Sequence, residues 1–318
     1  MQNSKIIGTG HYLPEKIVTN DDLSKIIETS HEWIVERTGI HQRHLAAEGE
    51  TPVDLAYHAA IDALKDAGID ASELDLIVLA TSTPEQTYPS TATLLQERIG
   101  NVGAASFDIS AACSGFIYAL GIADNFIKAG AAKKAMVIGA ELYSKLLNWE
   151  DRTTCVLFGD GAAAIILEAS DEAGILSTHL HADGNYKELL EVKKSVISGP
   201  EVYPYVQMKG NEVFRHAVGK LHQLVTETLD AHNLTGEDLD WFIPHQANLR
   251  IMNATAKRVG LTAEKMVVTV DKHANTSAAS IPLALDIARK DGRVKKGDLV
   301  LMEAFGGGFT WGSALVRM

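Results

Sequence analysis

The sequence predicts an α/β protein built from two duplicated halves packed on each other. Apolar strands alternate with amphipathic helices along the chain, the order that yields parallel strands with crossover helices. LKDAGIDASELDLIVLA from Leu64 lies without a gap on LDAHNLTGEDLDWFIPH from Leu229, so that Leu74-Asp75 coincides with Leu239-Asp240. FGDG from Phe158, before AAAIIL, is echoed by FGGG from Phe305, before GSALVRM. Self-similarity of this kind marks an internal repeat, with its boundary expected at 170–174 and halves at 1–172 and 173–318.

In the first half, Val53, Ala56, Tyr57, Ala60, Ile61 and Leu64 recur at helical spacing, and Gly68 follows as a left-handed cap. A strand is expected at 74–80, a helix at 90–99, a strand at 105–109, a helix at 113–129 and a buried strand at 135–139. The second half repeats the order with helix 213–231, strand 241–244, helix 247–259, strand 266–270, helix 278–290 and strand 299–303. The two glycine runs read as turns joining antiparallel pairs. Residues 185–207 have weak periodicity and are expected to form a long surface loop.

A chain of 318 residues that is 46% hydrophobic and 22% charged can bury a full core, which excludes disordered and fibrous classes. The start, MQNSKIIGTG, has no signal-peptide pattern, and no stretch approaches the apolar length of a membrane span. Two cysteines, Cys113 and Cys155, are too few for a secreted disulfide framework. A soluble, cytoplasmic protein is expected. The net charge of -12 argues against nucleic acid and anionic membranes as partners, so an acidic partner needs a locally basic face.

Three residues stand out for chemistry. Cys113 in FDISAACSGF follows a strand and opens a helix, where free N–H groups and the helix dipole favour a thiolate. Taken alone, the segment fits a packed structural cysteine better. His245 in WFIPHQAN ends a strand, at the edge where open α/β sheets place ligands, and a hydrogen-bonded structural histidine is the equal alternative. Asn275 in KHANTSAAS reads by itself as a turn or capping residue. Cys113 and Asn275 both precede the third helix of their half, and His245 ends the strand opening the second half's central βαβ, so the duplication brings all three toward the junction, where shared sites form. Gly306-Gly307-Gly308 allows backbone N–H groups to approach a ligand.

AACSGF, PHQANLRI, NTSAAS and EAFGGGFTWGSALV, with HEWIVERTGI from His31, resemble the β-ketoacyl-acyl carrier protein synthase III family along essentially the whole chain. The resemblance implies the thiolase fold, five layers in the order αβαβα about a pseudo-twofold axis. It implies an acyltransferase in which Cys113 takes a short acyl group from acyl-CoA and condenses it with malonyl-acyl carrier protein, initiating fatty-acid synthesis. His245 and Asn275 would stabilise the enolate, and the backbone N–H groups of Cys113 and Gly307 would form the oxyanion hole. Acyl-CoA would lie on Trp33, Arg37, Arg152, Asn248 and Gly210, with the primer end near Tyr88 and Phe214. Arg215, Gln246, Ala247, Asn248, Leu249, Arg250 and Lys257 would dock the acidic carrier protein. A homodimer is implied, with no metal and no cofactor beyond these substrates.

Tyr88 departs from the phenylalanine often found before Pro-Ser in the family, which leaves primer length and branching open; acetyl-CoA is the first choice. A thiolase would need a second cysteine near Phe305, an elongating synthase a second histidine in place of Asn275, and a dinucleotide oxidoreductase a G-x-G-x-x-G turn, none of which the chain has. A catalytically silent acyl-CoA or carrier-protein binding subunit is the remaining alternative, disfavoured because a binder needs no nucleophile.

Overall fold

The computed structural model describes residues 2–193, 195 and 197–318. It contains a five-stranded sheet in the order Asn3–Tyr12, Gly161–Ser170, Lys134–Glu141, Leu76–Ala80, Ala105–Ile109. A four-stranded sheet follows in the order Ile175–Ala182, Thr310–Arg317, Leu299–Gly306, Trp241–Pro244. Strand for strand the second order repeats the first, and the chain passes from one sheet to the other between Ser170 and Ile175.

The repeated motif makes the same bonds twice. Asp75 N–H donates to the Lys134 carbonyl (2.9 Å) while its carboxylate accepts from Lys133 N–H (2.7 Å). Asp240 N–H likewise donates to the Leu299 carbonyl (3.0 Å), and its carboxylate accepts from Leu299 N–H (2.7 Å). In each half the Leu-Asp pair therefore pins the start of the central parallel pairing.

Side-chain alternation builds the layers. Leu76, Val78 and Ala80 face inward with Val300, Met302 and Ala304 of the other sheet, and the helices Gly115–Lys128 and Ser280–Lys290 fill the space between. Ile77 and Leu79 face outward under the helices Pro52–Ala67 and Thr91–Arg98. Leu299 and Leu301 do so under Gly210–Ala231 and Leu249–Arg258. The five layers are those of the thiolase fold.

Three expectations are corrected. Residues 266–269 form no strand: Met266 makes one isolated bridge to Phe242, and the Gln246 side chain then accepts from Thr269 N–H (2.8 Å) and Val270 N–H (3.1 Å), taking the place of a ladder. Phe305-Gly306-Gly307-Gly308 does turn an antiparallel pair. Phe158-Gly159-Asp160-Gly161 does not, because residues 142–160 separate the two paired strands and Phe158 bridges to Asn275 instead. Finally, 185–207 is more than a surface loop. Leu190–Glu191 pairs with Gln207–Met208, and Leu189 and Leu190 pack against Phe309 and the helix Gly210–Ala231. Lys194 and Val196 of that stretch lie outside the described residues.

The two inner elements meet backbone to backbone at Gly139, where an added Cβ would stand 2.3 Å from the Ala278 carbonyl oxygen. Gly139→Ala is expected to lower unfolding stability by about 2–3 kcal/mol, the cost of overpacking a rigid contact. Gly219→Ala, in open space within the helix Gly210–Ala231, is expected to raise it by about 0.5–1 kcal/mol. Denaturant titration of both variants checks the opposite signs.

Candidate active site

Around Cys113 the chain turns at Ala112 (φ 47°), makes one 3-10 turn over Ala112–Ser114 and enters the helix Gly115–Lys128. The Ser114 and Thr310 hydroxyls converge on the Ala111 carbonyl at 2.8 and 2.9 Å, tying this turn to the final hairpin. A Cβ at Gly306 would fall 2.7 Å from the Cys113 backbone nitrogen. Only glycine lets that strand end lie against the Cys113 backbone.

His245 follows Trp241–Pro244, and its N–H donates to the Glu303 carbonyl (2.7 Å), extending the parallel pairing by one residue. Its Nδ1 lies 2.6 Å from the Ser280 hydroxyl. Asn275 is gripped by residues 157–159: its N–H donates to Leu157 (2.9 Å) and its carbonyl accepts from Gly159 N–H (3.0 Å). The Asn275 side-chain oxygen accepts from Ser277 N–H (2.8 Å). A backbone N–H can only donate, so that side-chain atom is oxygen and the amide NH2 is the opposite end.

Cys113, His245 and Asn275 all line one cavity of 360 Å³, and they are 5%, 6% and 6% exposed. Burial pushes the Cys113 thiol from 9.0 up to about 12, an effect Ser277 partly offsets and nearby Glu141 reinforces. That shift corresponds to about 4 kcal/mol against the thiolate, whereas a helix terminus contributes at most about 2 kcal/mol in its favour. Desolvation thus opposes the helix terminus and favours the thiol over the expected thiolate. Burial also holds His245 down at about 3, so its imidazole is neutral at physiological pH.

Two buried carboxyl groups escaped sequence reasoning. Glu303, whose cavity-lining side chain has an Oε2 without a partner among the described residues, is pushed up to about 8 by burial. Glu141 is pushed up to about 7, although Ser82 N–H and the Thr83 hydroxyl donate to it. An acidic residue flanked by buried strand residues was the available signal for both.

A second cavity, of 440 Å³, also holds Cys113 and Gly307, with Ser82, Tyr143, Leu190 and Val206 on its walls. Neither Tyr88 nor Phe214, the residues expected at the primer end, lines this second cavity. Tyr88 is 83% exposed and lines neither cavity of the single chain, since its loop projects outward. Phe214 lines the first cavity beside Gly210, with the Arg250 guanidinium 5.7 Å from its ring centre.

At the mouth, Trp33, Arg37 and Asn248 line the first cavity. Arg37 and Arg152 lie 4.5 and 5.2 Å from the Trp33 ring centre. Arg215, Arg250 and Lys257 are exposed, and Ala247, Asn248 and Leu249 are half-buried. Asn248 caps the helix Leu249–Arg258 by accepting from Ile251 N–H (3.0 Å). Gln246 is not a docking residue: it is buried, and its amide donates to the Pro244 and Val267 carbonyls (2.8 and 3.2 Å), leaving nothing for a partner. Cys155 is buried and free, pushed up to about 11 by burial.

With Cys113 a thiol, its alkylation by iodoacetamide should accelerate about tenfold per pH unit from pH 7 to 9 without a plateau. A rate already constant near pH 7 contradicts the thiol ground state.

Family models for 3-oxoacyl-[acyl-carrier-protein] synthase III match residues 107–184 and, for its C-terminal part, 229–318. The chain is 58% identical to the β-ketoacyl-[acyl-carrier-protein] synthase III of Xanthomonas campestris pv. campestris, over 99% of this chain and 98% of that one. It is 57% identical to the corresponding protein of Thioalkalivibrio sulfidiphilus, with both chains fully covered. The crystal structure of 3-oxoacyl-[acyl-carrier-protein] synthase III from Aquifex aeolicus VF5 superposes with a TM-score of 0.95 at 50% identity, covering 99% of this chain and 100% of that one. With its five layers and these relatives in agreement, the chain belongs to the β-ketoacyl-[acyl-carrier-protein] synthase III family.

Proposed function

We propose that this enzyme joins a short acyl group, acetyl from acetyl-CoA in the first instance, to malonyl-acyl carrier protein, the initiating condensation of fatty-acid synthesis. The observation carrying this reading is that Cys113, His245 and Asn275 share one buried cavity while Cys113 also opens onto a second.

In the first step the Cys113 sulfur attacks the acyl-CoA carbonyl, the C–S bond to CoA breaks, and the thiol proton leaves with CoA. An acyl-Cys113 thioester remains. The N–H groups of Cys113 and Gly307 stabilise the tetrahedral oxyanion, each such donor contributing about 3 kcal/mol in a dry site. The acyl group then points into the second cavity, where Tyr143, stacked on Phe158 at 4.2 Å, and Leu190 set its length.

In the second step malonyl-carrier protein occupies the first cavity. His245 and the Asn275 amide donate to its thioester oxygen, carbon dioxide leaves, and the resulting carbanion attacks acyl-Cys113. The carbon–sulfur bond breaks, and the released Cys113 thiolate takes a proton from solvent. Neutral donors suit this step, because a charged imidazolium would protonate the carbanion.

Trp33, Arg37, Arg152, Asn248 and Gly210 would hold CoA at the mouth, its adenine stacking at the indole and its phosphate on Arg37. Arg215, Arg250 and Lys257 would offer the acidic carrier protein a basic face on an otherwise acidic chain. Ala247, Asn248 and Leu249 would lie beneath it. The outer strand Ala105–Ile109 leaves one edge open beside exposed Val102 and Tyr88, where a second copy would complete a homodimer. Among the described residues no helix is long and apolar enough to cross a membrane, and we place the enzyme in the cytoplasm.

Intact mass after separate incubation with acetyl-, butyryl- and isobutyryl-CoA tests the reading. One acyl adduct on the wild type, greatest with acetyl-CoA and missing from Cys113→Ser, is the expected result. No adduct with any primer would move the assignment to a silent binding subunit.

A further inference from the structure

The Ser280 hydroxyl, 2% exposed, contacts two groups among the described residues. Gln246 N–H donates to its oxygen at 3.3 Å, and His245 Nδ1 lies 2.6 Å away. Among the described residues the hydroxyl's own proton has no acceptor other than His245 Nδ1. If Nδ1 carried a proton, two donors would face each other and the serine proton would be left buried without a partner. If Nδ1 is bare, the chain of donation runs from Gln246 N–H to the Ser280 oxygen, and from the Ser280 hydroxyl to Nδ1. Every group is then satisfied, and the ring proton sits on Nε2.

We propose that Ser280 is a positioning residue that fixes His245 as the Nε2–H tautomer, so that the ring is a hydrogen-bond donor, and not a base, toward the substrate in the condensation step. This rests on the role given to His245 above. Burial keeps that imidazole neutral at physiological pH, so the choice between tautomers decides whether Nε2 donates or accepts. Ser280 opens the helix Ser280–Lys290, five residues after Asn275. One segment thus supplies one of the two donors and orients the other. The arrangement also bars Nε2 from taking the Cys113 proton, in accord with a thiol whose proton leaves with CoA.

The test uses the full-length enzyme. Nitrogen-15 spectra of histidine-labelled protein, with His245 assigned by its absence in His245→Gln, should show in the wild type a pyridine-type Nδ1 and a protonated Nε2. Ser280→Ala should populate the other tautomer. Kinetically, Ser280→Ala should lower kcat for condensation about tenfold or more, with KM for malonyl-carrier protein and the rate of acyl-Cys113 formation within about twofold of wild type. Ser280→Thr, which keeps the hydroxyl, should recover most of the loss. A protonated Nδ1 in the wild type overturns the proposal even if Ser280→Ala fails to fold. So does an unchanged condensation rate in Ser280→Ala, or a loss shared equally with acylation. Absence of condensation in the wild type would instead overturn the synthase reading, while the nitrogen-15 result would stand by itself.

Discussion

The site depends on how closely the two halves approach each other. At Gly139 the central strand of the first sheet touches the Ala278 carbonyl with no side chain between them. Gly115, at the start of the helix that follows Cys113, lies against the same element, where an added Cβ would stand 3.6 Å from the Ala278 side chain. That approach holds the turn Ser277–Ala279 against the strand that ends at Glu141. It also lets Phe158 and Asn275 bridge, although they are 117 positions apart in sequence. A single methyl at the contact would spread the halves and separate the cysteine contributed by one from the histidine and asparagine contributed by the other.

Close packing also sets the chemistry. Burial removes much of the solvation that stabilises ions, which favours a Cys113 thiol and a neutral His245 imidazole. Glu303 and Glu141 are driven in the same direction. The result is a room of neutral hydrogen-bond donors with fixed orientation: the Asn275 amide is set by Ser277, and the His245 ring by Ser280. Donors of that kind are worth most where negative charge appears transiently, on a tetrahedral oxygen or an enolate, because they need not reorganise at that moment. At the mouth, Arg37, Arg152, Arg215 and Arg250 are exposed.

Much of this was legible in the chain itself. The Leu-Asp repeat foretold two like halves, and those aspartates make matching bonds. The strand-to-helix placement of Cys113 and His245 pointed to a common junction. What could not be read were effects of non-local packing. Nothing local shows that Gln246 would fold inward and replace a strand pairing at 266–269, or that Phe158-Gly159 would hold Asn275 instead of turning a hairpin. The balance between thiol and thiolate was out of reach for the same reason. Helix position is visible in sequence, but the degree of burial that outweighs it is a property of both halves together. The second cavity beside Cys113 was missed because Tyr143, Leu190 and Val206 come from three separate segments.

The most direct test of the account is to measure carbon dioxide release from carboxyl-labelled malonyl-carrier protein in Cys113→Ala, His245→Gln and Asn275→Ala, beside acyl adduct formation in the same proteins. The account predicts a clean division. Cys113→Ala should form no adduct yet still decarboxylate, whereas the other two should acquire the acyl group and release little carbon dioxide. Full decarboxylation by the His245 and Asn275 variants would contradict it, because the buried donors would then have no part in stabilising the enolate.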